Sequence, residues 1–237
     1  FSSRQSDIGK LSVQVRCMND SRWKLKTYLA LYDLSLKKGK KIKLPFDIQM
    51  TTFMAWSPDG NKLAFSANQK LATLYPITYE TQLASTETAD LAIYDDEREI
   101  AYLLPGASEP GWLENYPAWS PDGKNLVFAR APAGGHPAAL RYDLAAIDFG
   151  EEGIANFRLI DGASGGERSH VFPRYSPDGK WFSFTQCDGG DLIRSSSDLF
   201  LMPGDLSGAA RLLECNVPYA ADSWHSWSSN KIGRAHV

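Results

Sequence analysis

No apolar run in this 237-residue chain approaches the roughly 20 residues that a membrane-spanning helix needs. Cysteine is scarce: Cys17, Cys187 and Cys215 form no close pair, so the sequence shows no disulfide framework. No Cys-x-x-Cys spacing exists, which excludes zinc-ribbon and c-type haem sites. Each cysteine is expected to act as small apolar filler at a strand end. The net charge is −3, so the chain as a whole is no polyelectrolyte for nucleic acid. Helical periodicity of useful length is missing, as are a Gly-x-Ser-x-Gly elbow, a phosphate-cradling loop and a His-Glu-x-x-His helix. No residue pattern calls for a cofactor or a resident metal, and Asp188-Gly-Gly-Asp191 is too short for a calcium loop. The chain opens at Phe1 with no initiator Met, so the lack of a signal segment carries no information.

What is present is a globular composition, 43% hydrophobic, with 19 Gly and 13 Pro that imply many turns. One peptide recurs. Trp56-Ser57-Pro58-Asp59-Gly60 returns as Trp119-Ser120-Pro121-Asp122-Gly123 and as Tyr175-Ser176-Pro177-Asp178-Gly179, with Gly-to-Gly spacings of 63 and 56 residues. Weaker copies flank these, at Ser6-Asp7-Ile8-Gly9 and at Trp227-Ser228-Ser229-Asn230.

The peptide reads as a hairpin turn. Pro58, Pro121 and Pro177 preset φ for the first central position of a type I turn. Asp59, Asp122 and Asp178 tolerate the second and can bond the nearby backbone. Gly60, Gly123 and Gly179 supply the left-handed residue that lets the next strand leave in register. Leu63 and Phe65 then alternate with Lys62 and Ala64, matched by Leu126 and Phe128 and by Phe182 and Phe184, which predicts a strand with one face buried.

A second signal, Asp90-Leu91, Asp143-Leu144 and Asp198-Leu199, opens a third strand in each unit; Tyr28 to Tyr32 is its counterpart in the first unit. Fourth strands are expected at Lys41 to Leu44, Glu99 to Leu104, Ala155 to Ile160 and Ala210 to Leu213. Four strands per unit of 50 to 60 residues predicts the blades of a β-propeller. A β-sandwich of the same strands would explain neither the period nor the identical turns.

The (Trp/Tyr)-Ser-Pro-Asp-Gly-x-x-hydrophobic-x-Phe pattern, followed by Asp-Leu-x-hydrophobic, resembles the TolB-like β-propeller repeat of bacterial proteins. The resemblance covers residues 1–230, with departures at Ser6 to Gly9 and at Trp227 to Asn230. It implies an all-β fold. Blades are expected at about 1–50, 51–114, 115–170 and 171–222, with the first strand of another at 223–230. TolB-like rings usually carry six blades, so the expectation is a fragment: an open arc of about four four-stranded blades plus one inner strand. The first unit lacks most of its inner strand.

Residues 231–237 are expected to be foreign. Ile232-Gly233-Arg234-Ala235-His236-Val237 back-translates as ATC GGA AGA GCA CAC GTC, which matches a common sequencing adapter.

Aligned on the aromatic residue of the turn, the units place Phe53, Tyr116, Phe172 and Trp224 three positions earlier, where they suit packing between blades. Five positions earlier stand Thr51, Glu114, His170 and Asp222. Glu114, His170 and Asp222 form a candidate polar ring at the channel mouth that would contact a partner or hold a cation, or else a solvated rim. Loops between second and third strands differ in length. The insertion from Ala67 to Ala89, with Tyr75 and Tyr79, suits a protein contact. His225, between Trp224 and Trp227, reads as a core residue. Residues 1–43 hold 11 Lys or Arg against three Asp, and Lys37 to Lys41 reads as a hairpin turn in which lysine discourages edge pairing or as a patch for an anionic surface.

The TolB resemblance implies a non-catalytic scaffold that binds another protein in the periplasm or cell envelope, without nucleic acid or a membrane span. Similar repeats also form the gating propeller of prolyl-oligopeptidase-like serine peptidases, whose catalytic domain would lie outside this chain. A carbohydrate- or small-ligand-binding propeller is a third alternative.

Overall fold

Short alternating segments separated by Gly- and Pro-rich turns leave the chain no local option but antiparallel hairpins. The computed structural model describes residues 10–18, 25–70, 73–78, 81–85, 88–150, 153–191 and 194–228. The first sheet runs β1 (Lys10–Met18), β2 (Leu25–Asp33), β3 (Lys38–Lys41). The second contains β4 (Met50–Trp56) and β5 (Lys62–Asn68). A separate hairpin, β6 (Thr73–Thr78) and β7 (Thr81–Ser85), intervenes before the sheet is completed by β8 (Asp90–Asp95) and β9 (Ile100–Leu103). The third sheet comprises β10 (Trp112–Trp119), β11 (Asn125–Pro132), β12 (Asp143–Gly150) and β13 (Gly153–Leu159). The fourth comprises β14 (Ser169–Tyr175), β15 (Trp181–Cys187), β16 (Asp198–Pro203) and β17 (Arg211–Leu212). Among the described residues one 3-10 turn, Pro137–Ala139, lies in the loop before β12.

The sheets contact one another in chain order through their first strands, β4 against β10 and β10 against β14, while β1 and β2 lie against β4. Three apolar clusters fill the junctions. Leu29 and Leu31 meet Phe65 and Ala67 between the first and second sheets. Leu91 and Ile93 meet Leu126 and Phe128 between the second and third. Val127 and Ala129 meet Phe182 and Phe184 between the third and fourth. Burial of each of these phenylalanines contributes roughly 1.5–3 kcal/mol.

Several expectations need correction. The central strands are buried on both faces, not one: Ala64 and Phe65 are equally inaccessible. Stacked sheets cover both sides, so the sequence alternates large and small side chains instead of apolar and polar. The first sheet, by contrast, has three strands among the described residues, without the inner one, as expected. Inner strands of the third and fourth sheets begin at Trp112 and Ser169, a few residues before the expected boundaries. Residues 223–228 form no strand, because an inner strand needs a hairpin partner to complete its ladder. The foreign tail expected at 231–237 lies outside the described residues, as does Tyr79. Only Lys37 of the lysine cluster lies in the turn, 34–37; Lys38–Lys41 is the edge strand β3 itself. Cys187 is buried at a strand end as expected, but Cys215 is exposed in a loop.

The repeated turn is built identically three times. The Ser57, Ser120 and Ser176 hydroxyls donate to Asp59, Asp122 and Asp178 at 2.5, 2.6 and 2.7 Å. Each Asp carboxylate also accepts a backbone N–H two residues on, from Asn61, Lys124 or Lys180. Each Ser oxygen accepts the N–H that opens the next strand, from Lys62, Asn125 or Trp181 at 2.9 Å. Gly60, Gly123 and Gly179 have φ of 74°, 73° and 73°. A Cβ on Gly123 would lie 3.7 Å from Pro58, and one on Gly179 would lie 3.6 Å from Pro121. The second and third turns therefore each rest on the proline of the turn before.

These bonds hold the three carboxyls below the usual range. At Asp59 partial burial is the largest influence and acts upward, but the Ser57 hydroxyl and Asn61 N–H outweigh it. At Asp122 and Asp178 the Ser120 and Ser176 hydroxyls lead. A depressed carboxyl adds stability above its unfolded value, near about 3.9, and that stability is lost as pH falls through the folded value. Ser120→Ala should cost about 1 kcal/mol in urea unfolding at neutral pH. The deficit should shrink below about pH 4, as Asp122 protonates; a deficit independent of pH would show that the hydroxyl acts without the carboxylate.

Candidate functional site

The inner strands share one irregularity. Register slips between Thr52 and Ala55, between Asn115 and Ala118, and between Val171 and Arg174. In each case two residues face one: Phe53 and Met54 against Phe65, Tyr116 and Pro117 against Phe128, Phe172 and Pro173 against Phe184. This is a β-bulge, and a proline there costs no ladder bond. Phe53, Tyr116 and Phe172 adopt φ of 51°, 58° and 55°, and Trp224 adopts 55° without any strand partner. A left-handed aromatic costs about 1–2 kcal/mol. The bulge aims each ring at its neighbour. Phe53 and Tyr116 have centroids 4.1 Å apart, Tyr116 and Phe172 4.7 Å, and Phe172 and Trp224 4.6 Å. A continuous aromatic file thus joins the second sheet to the third, the third to the fourth, and the fourth to the segment beyond it.

Just ahead of this file stand the expected ring residues. Their backbones repeat a bond to the preceding sheet: Glu114 N–H to Ala89 at 2.7 Å, His170 N–H to Tyr142 at 2.7 Å, Asp222 N–H to Ser197 at 2.9 Å. All three side chains, and Thr51, are buried, so the ring is no solvated rim. They lie at one level but engage different partners. Glu114 faces Arg130, Oε1 to Nε 3.4 Å, and the Arg130 guanidinium stacks 3.8 Å over Trp112. The Gln186 amide and His170 Nε2 are 2.9 Å apart. Asp222 accepts the Val217 N–H at 2.6 Å and so fastens its own loop. Among the described residues no three His, Cys, Asp or Glu side chains converge to hold a metal ion.

Burial pushes the Glu114 carboxyl up to about 8, against the pull of Arg130 and with a further push from Asp90. Burial lowers His170, which is held as a neutral ring. Asp191, weighed in the sequence only as part of a loop too short for calcium, has a partner that the sequence did not reveal. It is buried and accepts the Tyr116 hydroxyl at 2.7 Å, and burial raises its carboxyl above the usual range. Nothing in the local sequence marks Asp191, because its partner lies 75 positions away. Arg130 was missed too, although a charge inside the apolar run of β11 could have signalled it.

The loops at this end are unequal: the β6–β7 hairpin, the segment holding Pro137–Ala139, and residues 188–197. An open depression of about 700 Å³ between the third and fourth sheets is lined by Ala139, Arg141, Gly166, Glu167, Arg168 and Asp188. Its charges are engaged: Arg141 donates to the Glu167 carbonyl at 2.6 Å, and Arg168 pairs with Asp188 at 3.4 Å.

Solved structures share this arrangement. The TolB protein of Agrobacterium tumefaciens matches at 15% identity and TM-score 0.56, over 85% of this chain and 60% of its own length. The β-propeller domain of the trilobed protease from Pyrococcus furiosus, which has an open velcro topology, matches at 12% identity and TM-score 0.51, over 88% of this chain and 55% of that one. The chain folds as an arc of a β-propeller. A puromycin-hydrolysing peptidase from Mycobacterium tuberculosis also matches the propeller, at 14% identity and TM-score 0.53, over 88% of this chain and 31% of that one. The propeller spans about three fifths of the TolB chain. No protein-family model and no curated protein matches it.

Glu114 gives the mouth a measurable signature. A carboxyl whose folded value lies above its unfolded one, near about 4.3, keeps its proton longer in the folded state. Its contribution to stability therefore falls as pH rises from there to about 8. Glu114→Gln should remove that decline, flattening thermal stability across the window relative to the unsubstituted chain. Identical slopes in the two proteins would show that Glu114 is ionised when folded.

Proposed function

We propose that the propeller is a non-catalytic interaction scaffold of the bacterial cell envelope, which binds another protein through the loops at the mouth end. The observation that carries this reading is the contrast between the two ends of the sheets. At one end the turns are identical, the second and third each resting on the one before. At the other, the loops between second and third strands differ in length and composition, one of them bearing an added hairpin. A rigid frame with variable loops on one face is how many folds present a binding surface. The polar groups beneath those loops are buried, and Glu114, His170 and Asp222 each face a different partner, which suits support of a surface better than turnover of a substrate. The likeness to TolB supports placement in the periplasm or envelope.

The second reading, a gating propeller of a prolyl-oligopeptidase-like peptidase, is favoured by the likeness to the mycobacterial peptidase. Both readings are tested in one experiment. A photo-crosslinking residue at Ala133, in the mouth loops, should trap a partner protein in intact cells. The same residue at Lys124, in a turn at the opposite end, should not. Equal trapping at both positions, or none at Ala133, contradicts the scaffold reading. Labelling of the full-length gene product by a serine-hydrolase probe moves the assignment to the peptidase.

A further inference from the structure

The basic segment of the sequence plays no part in the mouth surface. Residues 1–43 hold 11 Lys or Arg against three Asp, while the remainder holds 14 against 25 Asp or Glu. The chain is thus basic toward its first sheet and acidic beyond it. The same contrast appears in the segments that join third strands to fourth. In the second, third and fourth sheets these are Asp96-Glu97-Arg98-Glu99, Glu151-Glu152 and Gly204-Asp205-Leu206-Ser207. Leu206 packs against the apolar cluster between the third and fourth sheets. In the first sheet the turn is Leu34-Ser35-Leu36-Lys37, and Lys38-Gly39-Lys40-Lys41 follows it.

The first turn holds its leucines outward. The Asp33 carboxylate accepts the Ser35 N–H at 2.9 Å, the Ser35 hydroxyl at 2.7 Å and the Leu36 N–H at 2.8 Å, so its charge is directed into the turn itself. Lys37 closes the turn in the left-handed region, with φ of 51°. Leu34 and Leu36 are 44% and 67% exposed. Lys37 and every residue of β3 are exposed as well. Lys40 Nζ reaches Asp96 at 2.8 Å and Glu99 at 3.0 Å, which anchors the hairpin to the second sheet and offsets the nearest acidic turn. Lys41 Nζ lies 4.4 Å from the centre of the Tyr28 ring. Lys37 and Lys38, next in sequence to Leu36, are left to solvent. The contact with Asp96 also sets this tip at the turn end of the arc, because the Asp96 N–H bonds the Asn61 carbonyl beside the Ser57 to Gly60 turn.

Two exposed leucines on a convex tip, followed by lysines, match a surface of anionic headgroups over hydrocarbon. A folded acidic protein would need a cleft shaped to the tip, whereas a fluid bilayer adapts to it. We propose that the β2–β3 hairpin docks the arc on an anionic lipid bilayer. Leu34 and Leu36 enter the headgroup boundary, and Lys37 and Lys38 meet the lipid phosphates. The acidic turns of the other sheets are repelled by the same phosphates, so contact is confined to the first sheet. This surface is independent of the protein-binding reading, since the mouth loops lie at the opposite end of the arc.

Co-sedimentation of the full chain with lipid vesicles tests the proposal. The chain is expected to bind vesicles of mixed phosphatidylglycerol and phosphatidylcholine, to leave vesicles of phosphatidylcholine alone, and to be released by salt. Lys37→Gln combined with Lys38→Gln should weaken binding about twentyfold, roughly fivefold per lysine. Leu36→Ser should weaken it about tenfold. Lys124→Gln combined with Lys180→Gln makes the same change in net charge in two other turns and should leave binding intact. Every substituted side chain is exposed, so none of these variants alters the core. No excess binding to the anionic vesicles, or equal weakening by the two lysine pairs, overturns the proposal. Unchanged affinity in Leu36→Ser overturns it as well. Capture of the chain by immobilised polyglutamate, without binding to the anionic vesicles, assigns the lysines to an acidic polypeptide and counts equally against it.

Discussion

The file of aromatic rings from Phe53 through Tyr116 and Phe172 to Trp224 is the contact on which the arc depends. Each ring is placed by a bulge that forces its own residue into the left-handed region, a cost of about 1–2 kcal/mol per residue. The cost recurs at the same register position in every described inner strand, so the ring contacts must exceed it. Aromatic pairs add about 0.5–1.5 kcal/mol beyond the area they bury. Burial of Phe65, Phe128 and Phe184, which stand opposite the bulges, adds to the stability of each sheet. The left-handed Trp224 is informative in this respect. It adopts a similar φ with no strand beside it among the described residues, and its ring still stacks on Phe172.

The two ends of each sheet then divide the labour. At the turn end, Gly123 rests on Pro58 and Gly179 on Pro121, which fixes the spacing of successive sheets. Trp119 adds a bond from its Nε1 to the Ala55 carbonyl at 3.2 Å. At the mouth end, the backbone bonds of Glu114, His170 and Asp222 tie each inner strand to the sheet before it. With both ends fastened, the loops above the mouth are free to vary without disturbing the frame, and polar side chains can sit beneath them at unusual ionisation.

Much of this was legible in the sequence. The turn was, because Ser, Pro, Asp and Gly each have a separate steric or hydrogen-bonding reason to be there. The level of Thr51, Glu114, His170 and Asp222 was, because it follows from counting back along a strand. Their burial was not: a carboxylate near a strand end looks solvated until the neighbouring sheet is placed over it. Burial of both faces of β5, β11 and β15 was obscured for a related reason, since Ala64 and Ser66 read as the outward side of an alternation although a second sheet covers them. The bond between Tyr116 and Asp191 joins residues far apart in the chain and could not be read from either segment alone.

If the aromatic file couples the sheets, loosening one ring should be felt in its neighbours. Amide hydrogen exchange on Tyr116→Leu, compared with the unsubstituted chain, reads this directly. The account predicts faster exchange along β4 and β14 as well as β10, with the Ser-Pro-Asp-Gly turns less affected. Faster exchange confined to β10, with β4 and β14 unchanged, would mean that the sheets stand independently and that the file is a consequence of the arc, not its cause.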